Sequence, residues 1–241
     1  MRWTSQSRCL AIAHRGSSDA APENTMAAFR LALEQGADAI ELDVHATADG
    51  HLVVMHDPAV DRTTDGTGEL GNLRLAEVRA LDAGRWYGSK FVGERVPLLE
   101  EVLEFAHGRL LVDVELKVPG IETEAVMLVR KTEMADATLF TSFLPAPLER
   151  CRSLAVEVPI GFLHQGNAVD RARALGAQIY LPAIDALTPD LADACRRAGL
   201  RIIPWTVRTA DQARLAVRVG VHGIIANDPV LVREVLAELR S

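Results

Sequence analysis

The feature that most constrains the fold of this chain is a regular alternation of short apolar segments with longer amphipathic segments. The apolar segments are rich in Val, Ile and Leu, and several of the amphipathic segments end at a Gly. This pattern is typical of parallel β-strands that are covered by α-helices. With one predicted hairpin set aside, eight strand–helix units follow one another, and their strands begin at Leu10, Ala39, Leu110, Thr138, Pro159, Gln178, Arg201 and Gly223.

Eight units of even size favour a (β/α)8 TIM barrel over the other common α/β architecture, a doubly wound open sheet. The length of 241 residues is close to what such a barrel needs, and hydrophobic residues, 49% of the chain, can fill its core. An open sheet rarely requires eight such regular units. We therefore expect one barrel domain over residues 1–241.

The alternation is interrupted after the second strand. Asp49 and Gly50 lie between two β-rich runs and predict a hairpin, whose second strand covers residues 52–55. Residues 58–97 are then rich in turn-forming residues, with one short helix predicted around Leu75. Because this segment is too small to bury a core of its own, we predict an insertion and not a second domain.

Charge and hydropathy exclude several kinds of partner and location. The net charge of -7 leaves no basic excess to neutralise nucleic-acid phosphates. No apolar run approaches the length of a membrane span, so we expect no stable membrane insertion. The apolar run before His14 is too short for a signal peptide, and Cys9, Cys151 and Cys195 show no disulfide or metal-ligand spacing. These features together predict a cytoplasmic protein.

Acidic side chains alternate with apolar ones on two predicted strands. Glu41 and Asp43 share one face of the second strand, and Asp113 and Glu115 share one face of the third. In a barrel these faces point to the axis, where converging carboxylates repel one another unless a cation lies among them. Oxygen ligands suit Mg²⁺ or Ca²⁺. A structural salt bridge from Lys117 to one acid is the alternative, but the repetition on two strands favours a metal.

Two histidines, His14 and His56, each follow directly on an apolar run. Either one alone is typical of a hydrogen-bonded residue at a strand end, whereas the pair suits acid–base chemistry near neutral pH. Arg15 follows His14, and its forked donors suit phosphate. His45 shares the face of the second-strand carboxylates and is a further candidate ligand. Three carboxylates, a divalent cation, Arg15 and Lys117 together carry a net positive charge, which would attract a phosphodiester monoanion.

The ordered motifs resemble those of the glycerophosphodiester phosphodiesterases. They are His14-Arg15-Gly16, Pro22-Glu23-Asn24-Thr25, Glu41-Leu42-Asp43, His56-Asp57, Asp61-Arg62-Thr63-Thr64, Asp113-Val114-Glu115-Leu116-Lys117 and Pro204-Trp205-Thr206-Val207. The resemblance covers essentially the whole chain. It implies a TIM barrel with a short insertion after the second strand, and metal-dependent hydrolysis of small glycerophosphodiesters to sn-glycerol 3-phosphate and an alcohol.

The resemblance also implies a role for each site residue. The metal ligands are Glu41, Asp43 and Glu115, the acid–base pair is His14 and His56, and the substrate-binding residues are Arg15, Lys117 and Trp205. Ordinary barrel packing accounts for Trp205 nearly as well. The resemblance does not say which histidine is the acid, whether water or a glycerol hydroxyl attacks first, which metal or alcohol is preferred, or how the chains assemble.

Four positions depart from the family pattern. The family commonly has Asn where this chain has Arg208, Asp where it has His222 and Asn227, and Thr where it has Ala226. We expect these positions to lie on the late part of the rim, away from the metal and both histidines, and to affect the choice of substrate more than the reaction.

Two other functions fit the same motifs. A lysophospholipase D-like enzyme would share the chemistry and need an apolar entrance, for which Trp86, Tyr87 and Phe91 are candidates, although these aromatics are more typical of a small core within the insertion. A non-catalytic phosphodiester-binding barrel is the second alternative. The presence of both histidines and all three carboxylates argues against it.

Overall fold

The computed structural model describes residues 3–239, which contain nine strands and nine α-helices. In chain order these are β1 (Leu10–His14), α1 (Met26–Glu34), β2 (Ala39–Ala46), β3 (Leu52–Val54), α2 (Leu75–Val78), α3 (Leu99–Ala106), β4 (Leu111–Leu116), α4 (Glu122–Lys131), β5 (Thr138–Ser142), α5 (Pro145–Leu154), β6 (Ile160–His164), α6 (Val169–Ala174), β7 (Ile179–Pro182), α7 (Pro189–Arg197), β8 (Arg201–Ile202), α8 (Ala210–Arg218), β9 (Gly223–Ala226) and α9 (Pro229–Glu238). None of these helices has the length and apolarity that a membrane crossing requires.

Eight of the strands form a parallel barrel in the order β8-β7-β6-β5-β4-β2-β1-β9. The chain segments around β8 and β9 close the ring through backbone hydrogen bonds, from the His222 N–H to the Ile202 carbonyl and from the Val207 N–H to the Ile225 carbonyl. β3 stands outside the ring and pairs with β2 in the antiparallel sense, as the hairpin signal predicts. The (β/α)8 barrel predicted from the alternation is confirmed.

The two faces of each strand enter different cores. The outward side chains of β2, which include Ile40 and Leu42, pack with the helices in the larger hydrophobic cluster. The inward apolar side chains fill the N-terminal part of the barrel, and they are Leu10, Ile12, Ala39, Leu111, Leu139, Leu163, Ile179, Leu181, Ile203 and Ile225. Trp3 joins this inner cluster, and its Nε1–H donates to the Ala137 carbonyl at 2.9 Å. The inward carboxylates of β2 and β4 follow these apolar residues along the strands and therefore lie toward the C-terminal end.

The helix α1 begins at a side-chain cap that frees a neighbouring residue for another role. Thr25 Oγ1 accepts a hydrogen bond from the Ala28 N–H, which satisfies one of the otherwise unpaired N–H groups of the first turn. Asn24, the residue before it, is also of a type that commonly caps helices. Because Thr25 caps the helix, the Asn24 amide can turn inward to the barrel.

The segment between β3 and α3 shares a small core with the hairpin. Its buried apolar side chains pack together with those of β3 in one cluster, formed by Val53, Met55, Val60, Leu70, Val78, Ala83 and Val96. Trp86, Tyr87 and Phe91 lie outside this cluster and contact one another edge to face, and Trp86 is 41% exposed. The interpretation of these three aromatics as the core of the insertion is wrong.

Candidate active site

Polar side chains from β1, β2 and β4 surround one cavity at the C-terminal end of the barrel. The strand register aligns His14 with Glu41, and Asp43 with Glu115. The cavity has a volume of about 460 Å³. Seven of the eight site residues predicted from the sequence line it, and the eighth, Asp43, is buried beside them.

The three predicted metal ligands form a buried acidic cluster. One carboxylate oxygen from each of Glu41, Asp43 and Glu115 lies within 4.8 Å of the others. Burial and the neighbouring acids raise the pKa of Glu41 well above its usual range and that of Glu115 to about 7. Burial also opposes ionisation of Asp43, but the charges of Arg15 and Lys117 outweigh it and lower the Asp43 pKa to about 2.

The cluster is compatible with a divalent cation. Asp43 Oδ1 is fully buried and accepts no hydrogen bond from the described residues, although Lys117 Nζ lies 3.3 Å away. A buried carboxylate oxygen without a donor is costly unless a cation compensates it. The all-oxygen donor set is the one that Mg²⁺ and Ca²⁺ prefer.

Lys117 and Arg15 are both paired with these acids. Lys117 Nζ lies 2.7 Å from Glu115 Oε1, so the salt bridge considered as the structural alternative is present beside the acidic cluster. Arg15 Nε lies 3.1 Å from Asp43 Oδ2, and its Nη1 lies 2.8 Å from Glu23 Oε1. The two cations are thereby held at fixed positions in the wall of the cavity.

An unusual turn after β1 places Arg15. Arg15 and Gly16 both have positive φ angles, 57° and 80°. A Cβ atom at Gly16 would lie 2.7 Å from the Ala28 backbone, so the close approach of α1 requires a glycine. The turn directs the Arg15 N–H to Glu41 Oε2 at 3.0 Å. The sequence motif therefore positions an acidic ligand as well as a cation.

Asn24 positions a second ligand. Its φ angle of 58° turns the side chain inward, and Nδ2 donates to Asp43 Oδ2 at 2.9 Å. No role for Asn24 in the site was predicted from the sequence beyond its place in a family motif. The Pro22–Thr25 motif is the signal in the sequence that could have drawn attention to Asn24. The contact of Asn24 with Asp43 joins residues 19 positions apart, so the motif alone does not show it.

His14 faces the acidic cluster with one ring nitrogen and Asn227 with the other. Nε2 lies 3.9 Å from Glu41 Oε2, and Nδ1 lies 2.7 Å from Asn227 Oδ1. Burial, and next the charge of Arg15, lower the pKa of His14 to about 4. His14 is therefore neutral at physiological pH.

His56 is held by a chain of ion pairs that was not predicted from the sequence. Its Nδ1 lies 2.6 Å from Asp57 Oδ1, and Arg62 donates to Asp57 and to Glu23. Glu23 in turn accepts from Arg15. The hydrogen bond from Arg62, more than any other contact, holds the pKa of Asp57 well below its usual range, so Asp57 is ionised. Arg62 thus links the two sides of the cavity.

Residues 14–231 match the glycerophosphoryl diester phosphodiesterase family. The chain belongs to this family. A glycerophosphodiester phosphodiesterase from Caldanaerobacter subterraneus is 40% identical over 231 residues, which span 92% of this chain and 95% of that protein. The bovine glycerophosphodiester phosphodiesterase 1 is 32% identical over 245 residues, spanning 85% of this chain and 73% of its relative. The family and the enzyme class predicted from the sequence are confirmed.

Solved structures of family members share the fold. A glycerophosphodiester phosphodiesterase from Agrobacterium tumefaciens has a TM-score of 0.84 and 34% identity, and the match covers 95% of this chain and 100% of that one. A phosphodiesterase from Oleispira antarctica, solved with the product sn-glycerol-3-phosphate, has a TM-score of 0.87 and 28% identity. The match covers 94% of this chain and 96% of the Oleispira chain.

The remaining candidates from the sequence occupy different places. His45 Nε2 lies 3.1 Å from the His56 carbonyl, and His45 does not belong to the acidic cluster. Asp113 is fully buried, accepts from Thr141 Oγ1 at 2.6 Å, and has its pKa raised to about 8 by burial. Trp205 both packs against the inner core and lines the cavity, and its Nε1–H donates to a backbone carbonyl.

Three of the positions that depart from the family pattern, Arg208, His222 and Asn227, do not lie together. Arg208 and Asn227 line the cavity. His222 precedes β9 at the opposite end of the barrel, where its Nδ1 accepts from the Ile202 N–H. The expectation that all three lie on the rim and away from the histidines is wrong, because the parallel pairing of β1 with β9 brings Asn227 against His14.

Proposed function

We propose that this protein hydrolyses glycerophosphodiesters to sn-glycerol 3-phosphate and an alcohol, with a divalent metal and with His14 and His56 as the acid–base pair. The observation that carries the proposal is that both histidines and the acidic cluster meet at one cavity. That cavity lies at the C-terminal end of the barrel, where TIM-barrel enzymes have their active sites. The names of the relatives, and the product bound to the Oleispira enzyme, support the substrate class.

Glu41, Asp43 and Glu115 would hold the metal, and their oxygen ligands suit Mg²⁺ or Ca²⁺. A bound divalent cation polarises phosphoryl oxygens and offsets the charge that develops on them. Asn24 and the Arg15 N–H orient two of these carboxylates through hydrogen bonds. Preorganised ligands lose little freedom when the metal binds.

Arg15 and Lys117 would bind the phosphodiester. Both line the cavity, and their ion pairs with the acidic cluster hold them before substrate arrives. Preorganised positive groups stabilise charge in a transition state without reorganisation at the moment of reaction. Arg208 adds a positive charge to the same cavity, and a cationic wall attracts an anionic diester.

The surroundings of the two histidines suggest different roles. Neutral His14 has Nε2 turned to the cavity side and would take the proton of the attacking hydroxyl, which belongs to water or to the substrate's own glycerol. His56 has its Nδ1 against the ionised carboxylate of Asp57, which orients the ring, and it would protonate the departing alcohol oxygen. Attack by the glycerol hydroxyl would form a cyclic phosphate first, which water then opens.

The direct test is the release of glycerol 3-phosphate from a panel of diesters that includes glycerophosphocholine and glycerophosphoethanolamine. Each is incubated with Mg²⁺, with Ca²⁺ or with EDTA. We expect release with at least one metal and none with EDTA. Release that survives EDTA would remove the metal from the mechanism, and absence of release from every diester would overturn the proposed reaction.

One observation favours a second candidate, hydrolysis of lysolipids. Phe143 and Leu144 are 37% and 42% exposed, and the Phe143 ring lines the cavity and packs edge to face on Trp205. An apolar entrance of this kind suits an acyl chain. Turnover of lysophosphatidylcholine faster than glycerophosphocholine, measured side by side, would replace the first candidate with this one.

A further inference from the structure

The last strand of the barrel delivers a polar side chain to the first predicted catalytic residue. Asn227 directly follows β9, and the parallel register of β9 with β1 aligns Ala226 with Ala13. The next residues along the two strands, Asn227 and His14, are therefore neighbours at the C-terminal rim. Asn227 Oδ1 lies 2.7 Å from His14 Nδ1 across a separation of 213 positions in the chain. This contact exists only because the barrel closes.

The chemistry of the contact determines where the His14 proton lies. A side-chain carbonyl oxygen accepts hydrogen bonds and cannot donate one. His14 must therefore carry a proton on Nδ1, and the neutral ring then has its lone pair on Nε2. Nε2 is the nitrogen that faces Glu41, at 3.9 Å from Oε2. The nitrogen able to accept a proton is thus the one on the side of the acidic cluster.

We propose that Asn227 is a positioning residue for His14, because its side-chain carbonyl selects the Nδ1–H tautomer and directs the unprotonated Nε2 into the cavity. The inference rests on the proposed function, in which His14 exchanges a proton with the substrate. Asn227 itself is not a proton carrier. It acts through the orientation of the imidazole ring.

The partner of the other histidine shows what is distinctive about Asn227. His56 also has an acceptor oxygen on Nδ1, but that acceptor is the carboxylate of Asp57. A carboxamide supplies the same geometry without a charge. At His14, beside Glu41, a neutral partner orients the ring without adding to the negative charge of the acidic cluster. The two histidines are therefore oriented alike, but the group that contacts Nδ1 is charged at His56 and neutral at His14.

The test compares three substitutions of Asn227. Asn227→Ala removes the acceptor, Asn227→Leu removes it but keeps the branched shape of the side chain, and Asn227→Asp retains it. Asn72→Ala is the matched control, since Asn72 is exposed in the insertion. Steady-state kinetics on glycerophosphocholine give kcat and KM. Long-range ¹H–¹⁵N spectra of the metal-loaded protein report which nitrogen of His14 is protonated, with His14→Gln used for assignment.

We expect Asn227→Ala and Asn227→Leu to lower kcat by about 10–100-fold with little change in KM, as the loss of a supporting hydrogen bond does. Asn227→Asp should retain most of the rate, and the control should match the wild type. The wild-type spectrum should show a protonated Nδ1 and an unprotonated Nε2 on His14, and both acceptor-free variants should lose this preference.

Two results would overturn the inference. One is a wild-type kcat in Asn227→Leu, and the other is a His14 ring that is protonated on Nε2 in the wild type. The spectroscopic result does not need turnover. If the wild-type protein released no glycerol 3-phosphate from any diester, the proposed function would fail while the tautomer of His14 was still measured.

Discussion

The Nδ1 atom of His56 lies 2.6 Å from Oδ1 of Asp57, the residue that follows it in the chain. A hydrogen bond to an ionised carboxylate is strong and orients the imidazole ring. Arg62 holds the other Asp57 oxygen through Nε, also at 2.6 Å, and keeps the carboxylate ionised. The acid role proposed for His56 therefore depends on two residues that do not face the acidic cluster.

Replacement of either histidine should greatly slow the reaction. His14→Ala and His56→Ala are each expected to lose about 10²–10⁴-fold in kcat, the usual contribution of general acid–base groups. His51→Ala is the matched control, because His51 is exposed in the hairpin turn. Release of glycerol 3-phosphate measures the effect. Near-normal turnover in either site variant would remove that histidine from the mechanism.

The leaving group should distinguish the two histidines. A p-nitrophenolate group departs without protonation, so a p-nitrophenyl diester should restore much of the rate lost in His56→Ala and in Asp57→Asn. The same diester should not restore the rate lost in His14→Ala, because this variant lacks the proposed base. Absorbance of released p-nitrophenolate gives the rates. A larger recovery in His14→Ala than in His56→Ala would reverse the two assignments.

The acidic cluster should determine metal affinity. Glu41→Gln, Asp43→Asn and Glu115→Gln each remove a charged ligand, and we expect them to weaken binding of Mg²⁺ or Ca²⁺ by at least about tenfold. Titration calorimetry on the EDTA-treated and dialysed protein measures the change. Glu104→Gln, on the exposed face of α3, is the control. Unchanged affinity in all three cluster variants would place the metal elsewhere.

The metal-free protein should lose stability between about pH 7 and pH 8. Burial raises the pKa of Asp113 to about 8 and that of Glu115 to about 7. The folded protein therefore retains protons that the unfolded chain, with carboxyl pKa values near 4, has already lost, and the free energy of unfolding falls as the pH rises. Lowered histidine pKa values act in the opposite sense, but below this window.

Thermal melts in EDTA at these two pH values check the prediction. Asp113→Asn keeps an acceptor for Thr141 and cannot ionise, so the fall in melting temperature should be smaller in this variant. Added metal should stabilise the wild type more at the higher pH, because it binds the ionised carboxylates. An equal fall in both proteins would exclude Asp113 as the source.

Gly16→Ala should destabilise the fold by about 1–3 kcal/mol. The φ angle of 80° is unfavourable for alanine, and the added Cβ would meet the Ala28 backbone at 2.7 Å. Gly71→Ala is the control, since a methyl group at that position would have no neighbouring atom within 4 Å. Denaturant unfolding measures both variants. An unchanged midpoint for Gly16→Ala would show that the turn after β1 adjusts without cost.

Most of the fold and much of the candidate site follow from local patterns in the sequence. The twofold alternation on β2 and β4 shows which side chains share a face, so the positions of Glu41, Asp43 and Glu115 on the inner wall need no tertiary information. The histidines at the ends of apolar runs are equally local signals. The role of Asn24 was missed because a local pattern does not show a hydrogen bond to an acceptor that is distant in the chain.

The sequence alone determined that the chain forms a barrel, at which end of it the candidate site lies and which strand faces carry the candidate residues. Strand and helix periodicity are properties of neighbouring residues, so no tertiary information is needed for them. Only the tertiary structure decided which of these residues meet. The contact of Asn227 with His14 depends on closure of the ring between β9 and β1, and the ion pair of Arg62 with Glu23 depends on how the insertion returns to the rim. Such contacts join distant positions, and no local period encodes them.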